Sequence, residues 1–168
     1  MFKIKRRKVI NLFVQLALIL LITIILSITP DNNKFTVKLG DCVDGDTAKF
    51  ITDSGIETVR FLAIDTPESV HPTKAIEPFG LESSTYTCNE LKGAKEIVLE
   101  LDNDSDKYDK YKRLLAWVFV DDVLLQEKII GKGYAKVAYL YGDYKYTNIL
   151  LKEEAKAKEN NLGIWYNK

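Results

Sequence analysis

The chain has 168 residues, of which 29% are charged and 46% are hydrophobic, and its formal net charge at pH 7 is zero. This length and composition exclude an intrinsically disordered chain and favour one globular domain with an appendage. With two cysteines and one histidine in the whole sequence, the composition also argues against a structural zinc site.

The first thirty residues form a segment of distinct composition. The stretch "MFKIKRRKV" carries five basic residues, and residues 12–29 are apolar apart from four polar side chains. This pattern predicts an N-terminal hydrophobic helix in residues 1–30 that is either a cleaved signal peptide or an uncleaved membrane anchor. Both alternatives place residues 31–168 outside the cytoplasm, secreted or anchored at the membrane.

The remaining part of the chain is acidic. It carries 19 basic and 24 acidic residues, a formal charge of −5. A domain that binds nucleic acid by non-specific electrostatics alone is normally basic, so any polyanion must be held by focused cationic groups or by a bound cation. Two cysteines in an exported domain permit a Cys42–Cys88 disulfide, and the sequence leaves open whether the pair is bridged or free.

Five short strands and three helices are predicted in residues 31–168. The strands are expected at 34–43, 46–51, 56–64, 95–101 and 113–120, and the helices at 79–93, 124–133 and 147–163. Residues 134–141 are expected to be extended. This α+β, mainly β pattern predicts a five-stranded OB-type barrel with about three covering helices.

Acidic residues gather where two of these strands end. The stretch "VDGD" (43–46) follows the first strand, and "DTPE" (65–68) follows the third. Carboxylate oxygens with hydroxyl and carbonyl groups nearby are the ligands that Ca²⁺ accepts, and a cation makes crowded like charges tolerable. An Asp-Gly hairpin turn is the alternative for 44–46. A third run, "DNDSD" (102–106), copies the start of an EF-hand loop but has lysine at the position that requires glycine, which indicates a solvated loop.

The order of motifs resembles the staphylococcal nuclease (thermonuclease) family. The resemblance rests on "VDGDTAKF", "VRFLAIDTPES" with "HP" after it, "DKYKRLLAWVF", "GKGYAKVAY" and "NLGIW", which together span about residues 36–165. It implies a Ca²⁺-dependent nuclease on an OB-fold barrel that hydrolyses DNA and RNA, single-stranded or frayed by preference, and leaves 3′-phosphate and 5′-hydroxyl ends. A monomer is expected.

The resemblance also implies roles for individual residues. By motif, Asp46, Asp65 and the Thr66 carbonyl would hold the metal, with Asp44 just outside. Glu68 would act as general base, and Arg60 and Arg113 would hold the scissile phosphate. Five further residues would bind substrate: Lys74, Lys110, Tyr111, Tyr139 and Tyr141.

Several alternatives stay open at this point. Lys112 stands where the family has glycine before the second arginine, and the repeat "DKYDKYK" allows Lys107 and Tyr108 to take the place of the later Lys-Tyr pair. Core packing is an alternative for one of the two tyrosines near residue 140. The competing function is a non-catalytic OB module that binds nucleic acid or a protein partner.

Overall fold

The computed structural model describes residues 2–26, 33–70, 73 and 75–166. It divides into two compact units, Met1–Asn32 and Asn33–Lys168. The described residues of the first unit form helix α1 (Phe2–Leu26). In the described ranges, no helix has both the length and the apolar composition required to cross a membrane. Export and anchoring therefore stay predictions from the sequence.

The described residues of the second unit form eight strands and three α-helices. In chain order these are β1 (Lys34–Cys42), β2 (Thr47–Thr52), β3 (Gly55–Phe61), β4 (Ile64–Asp65), α2 (Gly80–Gly93), β5 (Ile97–Glu100), β6 (Leu114–Val120), β7 (Val123–Leu124), α3 (Leu125–Gly131), β8 (Lys136–Val137) and α4 (Thr147–Glu159), followed by a 3₁₀ turn at Gly163–Trp165. The three predicted helices are therefore present.

Five of the strands close into a barrel. Antiparallel pairing runs from β3 through β2, β1 and β5 to β6. Parallel pairing of Val59–Phe61 with Leu114–Ala116 then joins β3 to β6 and closes the ring. The prediction of a five-stranded OB-type barrel with covering helices is confirmed.

The core fills the barrel and the space beneath the helices. Its largest fully buried side chains include Trp117, Phe50, Phe61, Ile64, Leu99, Leu125, Ile129 and Leu150. Gln126 of α3 is also fully buried, and its amide bonds to the Ala116 carbonyl and the Val118 N–H of β6. Because a buried amide requires such partners, these bonds fix α3 to the barrel wall.

The structure breaks two segments that the sequence predicts to be continuous and extended. The strand expected at 56–64 stops at Phe61, because Ala63 has a φ of 62° and turns the chain before β4 begins. The extended segment expected at 134–141 is a strand over Lys136–Val137 alone, and Tyr139 has a φ of 58°. Both turns lie in left-handed backbone that non-glycine residues adopt rarely, which is why β propensity does not reveal them.

Cys42 and Cys88 form a disulfide, with their Cα atoms 5.6 Å apart. Cys42 is the last residue of β1, and Cys88 lies in the middle of α2. The bridge therefore attaches α2 to the barrel directly before the acidic stretch 43–46.

Candidate active site

Asp46 directly precedes β2, and only 6% of its surface is exposed. One carboxylate oxygen accepts a hydrogen bond from the Thr47 hydroxyl at 3.0 Å. The other accepts the backbone N–H and the hydroxyl of Thr66, each at 3.1 Å. A carboxylate removed from water requires this kind of compensation. These bonds join the acidic loop after β1 to the loop after β4, as the sequence predicts.

Arg60 lies between the two carboxylates that the sequence singles out. Its Nη2 is 3.1 Å from Asp46 Oδ2 and 3.7 Å from Asp65 Oδ1. The guanidinium is oriented by the backbone, since Nη1 donates to the Phe61 carbonyl at 2.7 Å and Nη2 to the Ile64 carbonyl at 2.9 Å. The turn at Ala63 makes this possible, because it folds Ile64 and Asp65 back toward the end of β3.

Asp44 accepts the Asp46 N–H at 2.9 Å and so shapes the acidic loop. Burial and the negative charge of Asp46 raise the pKa of Asp44 to about 6. Two carboxylates this close repel each other in the folded protein, and a cation bound between them would remove that repulsion.

The backbone of the acidic loop packs closely against α2. Thr87 donates its hydroxyl to the Gly45 carbonyl at 2.8 Å. Glycine is required in this loop because a Cβ at position 45 would lie 2.2 Å from Ser83 Oγ and 2.8 Å from Thr66 Oγ1. The backbone of the loop therefore packs directly against α2, with no space for a side chain at position 45.

Glu68 lies on the loop after β4. Its carboxylate accepts the Val70 N–H at 2.9 Å, and its own N–H donates to the Glu77 carboxylate at 3.0 Å. The Glu77 N–H in turn donates to the Glu68 carbonyl at 2.9 Å. Glu77, which the sequence does not mark, thus fixes the backbone of the predicted general base.

Arg113 directly precedes β6 and is held by Asp109. Its Nε donates to Asp109 Oδ2 at 2.7 Å, and the N–H groups of Tyr111 and Arg113 both donate to Oδ1. Burial alone would raise the pKa of Asp109, but these hydrogen bonds hold that pKa below its ordinary value. In the described part of the chain Arg113 contacts Asp109 and Tyr111, and it does not reach Asp46 or Asp65 as Arg60 does.

The tyrosines and lysines of the 107–113 loop form two exposed pairs. Lys110 lies 5.0 Å and Arg113 5.4 Å from the centre of the Tyr111 ring. Lys107 lies over Tyr108 instead, at 5.5 Å. The later Lys-Tyr pair is therefore the one beside Arg113. Lys112 has a φ of 63°, so this lysine adopts the left-handed conformation expected for glycine at that position.

Tyr139 and Tyr141 are exposed, so core packing is wrong for both. Tyr139 stacks 5.5 Å from the Arg60 guanidinium and donates its hydroxyl to Asp65 at 3.3 Å. The two tyrosine rings are 6.3 Å apart. Lys136, which the sequence does not mark, pairs with Asp65 at 3.0 Å because β4 and β8 place these residues opposite each other. The hydrogen bond and charge of Asp65 raise the pKa of Lys136.

Lys74 lies outside the described residues. Among the residues that are described, no group of three or more His, Cys, Asp or Glu side chains is arranged to hold a metal ion. Arg60 and Lys136 instead balance the charge of Asp46 and Asp65.

Comparison with known proteins gives a consistent result. The sequence profile of the staphylococcal nuclease homologue family matches residues 58–167. The chain is 42% identical over 130 residues to the SPbeta prophage-derived endonuclease YokF and 40% identical over 130 residues to endonuclease YncB, both of Bacillus subtilis strain 168. It is 30% identical over 135 residues to a thermonuclease of Staphylococcus hyicus.

The matches differ in how much of each relative they cover. The aligned region is 77% of this chain in both Bacillus matches, but 43% of YokF and 61% of YncB, so the chain spans about half the length of these relatives. The thermonuclease match covers 80% of this chain and 78% of that protein.

Proposed function

The chain belongs to the staphylococcal nuclease homologue family, and we propose that it is a Ca²⁺-dependent nuclease that hydrolyses phosphodiester bonds in DNA and RNA. In this proposal the enzyme has little sequence preference, favours single-stranded or frayed substrate, and leaves 3′-phosphate and 5′-hydroxyl ends. The enzyme would act outside the cytoplasm, which the basic and apolar start of the chain supports. It would act as a monomer, which the family resemblance supports.

One observation carries the proposal. A nearly buried arginine, Arg60, lies between two carboxylates from separate loops, beneath an exposed tyrosine ring. A charge with 9% exposure is unfavourable in a barrel wall unless it has a specific partner. Acidic oxygens, a fixed guanidinium and an aromatic surface together suit a phosphodiester with its sugar and base.

The chemistry of the candidate donors suits a hard divalent cation. Asp46 Oδ2 and Asp65 Oδ1 both lie within 4 Å of the same Arg60 nitrogen, and all candidate donors are oxygens. Burial and the negative charge of Asp46 raise the pKa of Asp44, and a cation bound nearby would favour its ionised form. Asp46, Asp65 and the Thr66 carbonyl would hold Ca²⁺, with Asp44 ordering its waters. When bound, the ion would polarise the phosphoryl group and offset charge that develops on its oxygens.

Arg60 is prepared for phosphate before substrate arrives. Of its five N–H groups, two donate to the Phe61 and Ile64 carbonyls in the described structure, and Nη2 also forms an ion pair with Asp46 at 3.1 Å. The other N–H groups would donate to substrate oxygens. Because the backbone already fixes the plane of the guanidinium, little reorganisation is needed when negative charge grows on the phosphate.

Glu68 and the 109–113 loop supply the remaining functions. Glu68 is the candidate general base that takes a proton from the attacking water. Glu77 holds the backbone of Glu68 in place by accepting its N–H. Arg113 would contact the phosphate from the loop side, while Lys110, Tyr111, Tyr139 and Tyr141 would offer charge and ring surfaces to the nucleotide. Rings and point charges do not read sequence, which agrees with non-specific cleavage.

The first prediction tests the metal requirement. Purified full-length protein is expected to cleave single-stranded DNA in Ca²⁺, to lose at least about a hundredfold of that rate in EGTA, and to recover it when Ca²⁺ is restored. The rate is measured from the release of acid-soluble nucleotides, and end-group analysis identifies the products. Full activity in EGTA would contradict the metal role. Tight DNA binding without turnover in Ca²⁺ would instead favour the non-catalytic OB module.

The second prediction concerns the carboxylate that positions Arg113. Asp109→Ala is expected to lower kcat/KM on single-stranded DNA by about tenfold, because three N–H groups of the loop lose their common acceptor. Asp106→Ala is the matched control. Asp106 is the aspartate of the preceding D-K-Y repeat and is exposed, so its replacement is expected to leave the rate unchanged. Equal rates for both variants would show that the Asp109–Arg113 pair does not contribute.

A further inference from the structure

We infer that Thr87 and the Cys42–Cys88 disulfide on α2 are positioning elements that set the affinity of the acidic loop for its cation. This inference rests on the proposed function. No residue of α2 belongs to the candidate ligand set, yet α2 is the element on which the backbone carrying Asp44 and Asp46 rests.

The acidic loop has few bonds of its own. The N–H groups of Val43 and Asp44 both donate to the Thr47 carbonyl, which closes a tight turn. Beyond that turn, the Asp46 N–H donates to Asp44. These local bonds shape the loop, and the hydrogen bonds from Thr66 to Asp46 tie it to the loop after β4. Neither set of bonds fixes the loop against α2.

Thr87 supplies a bond between this loop and a rigid helix. Its hydroxyl is buried, with the residue 1% exposed, and donates to the Gly45 carbonyl at 2.8 Å. Gly45 is the residue between the two aspartates. Because Gly45 is also buried, its carbonyl would lose its hydrogen-bond partner in the absence of the Thr87 hydroxyl, and the loop would have to move to compensate.

The disulfide acts at the other end of the same segment. It joins Cys42, two residues before Asp44, to Cys88, the residue directly after Thr87. The loop is therefore held to one turn of α2 both by a covalent bond at its start and by a hydrogen bond at its centre. Such constraints act on the spacing of ligands, and outer partners of ligand groups commonly change metal affinity by about 10- to 100-fold.

Ser83 provides an internal comparison on the same helix. It lies one turn before Thr87 and is fully buried, and within the described ranges its hydroxyl has no hydrogen-bond partner. Ser83 contacts the loop through packing alone. A variant without the Ser83 hydroxyl therefore shows the effect of losing a buried polar group on α2. A variant without the Thr87 hydroxyl shows, in addition, the effect of losing the hydrogen bond that holds the loop.

The test measures Ca²⁺ affinity by titration calorimetry in the full-length chain, with activity as a second readout. Thr87→Val is expected to weaken Ca²⁺ binding about tenfold, and the Ca²⁺ concentration for half-maximal activity is expected to rise by the same factor. The rate at saturating Ca²⁺ is expected to stay at the wild-type value. Thr87→Ser, which keeps the hydroxyl, is expected to restore the affinity, and Ser83→Ala is expected to bind as the wild type does.

The double variant Cys42→Ser with Cys88→Ser provides an independent measurement should Thr87→Val fail to fold. It is expected to show the same shift in affinity with the same saturating rate. Unfolding in EGTA is recorded for every variant, because a merely structural role lowers stability without changing the affinity of the folded protein. Wild-type affinity in both α2 variants would overturn the positioning role alone. A wild-type protein that binds no Ca²⁺ would overturn the metal dependence and this inference together.

Discussion

Replacing Arg60 with alanine is expected to lower the rate of phosphodiester cleavage by about two to three orders of magnitude. Arg60 is the cationic group that the backbone aims at the carboxylate pair, through the Phe61 and Ile64 carbonyls. Its loss removes a preoriented donor at the place where phosphate charge would grow. Arg60→Lys is expected to recover little activity, because an ammonium does not offer two coplanar donors to two phosphate oxygens.

Ca²⁺ binding separates a catalytic role of Arg60 from a structural one. Arg60 neutralises Asp46 in the described structure, so its removal leaves that carboxylate more available to a cation. Arg60→Ala is therefore expected to bind Ca²⁺ at least as tightly as the wild type while cleaving DNA slowly. Lys49→Ala, an exposed cation removed from the adjacent strand β2, controls for the change in net charge. Wild-type activity in Arg60→Ala would refute the proposed mechanism.

Replacing Asp44 with asparagine is expected to raise the free energy of unfolding at pH 7 by about 2 kcal/mol when Ca²⁺ is removed by EGTA. Burial and the charge of Asp46 raise the pKa of Asp44 to about 6, from an ordinary value of 3.8. The folded state therefore disfavours the ionised side chain. Asparagine carries no charge, and its side-chain oxygen can still accept the Asp46 N–H.

The pH dependence of this gain has a definite sign. Because the folded protein holds the Asp44 proton more tightly than the unfolded chain, the contribution of Asp44 to stability falls as the pH rises from about 4 to about 6. The advantage of Asp44→Asn is therefore expected to vanish near pH 4 and to be complete above pH 6. Urea denaturation in EGTA between pH 4 and 8 measures it, with Asp53→Asn in an exposed turn as the control. A difference that does not change with pH would contradict the assignment.

The barrel follows closely from local sequence signals, whereas parts of the site do not. Alternating apolar residues and turn chemistry predict the five barrel strands and the covering helices. The motif order also predicts that Asp46, Asp65 and Arg60 meet, which the structure shows. The ion pair of Lys136 with Asp65 depends on the two-residue pairing of β4 with β8, which are distant in the sequence. No hydrophobic periodicity in the sequence predicts that pairing.

The position of Arg113 shows a different limit of sequence reasoning. The motif predicts that it faces the same phosphate as Arg60, but in the described structure its Nε bonds to Asp109, four residues earlier. Opposite charges four residues apart indicate an ion pair only on a helix, and residues 109–113 form a turn, so their spacing gave no signal of this pair. The turn at Ala63 also left no signal, since alanine has no preference for left-handed backbone.

The parallel pairing of β3 with β6 has a consequence during synthesis of the chain. It joins residues 59–61 to residues 114–116, and the tyrosine that covers Arg60 lies further on, at position 139. A ribosome that has made the first hundred residues has therefore supplied every acidic ligand candidate without the partner strand that closes the barrel wall around them. The proposed hydrolase would therefore have no closed barrel around its site until β6 and the segment that carries Tyr139 have also left the ribosome.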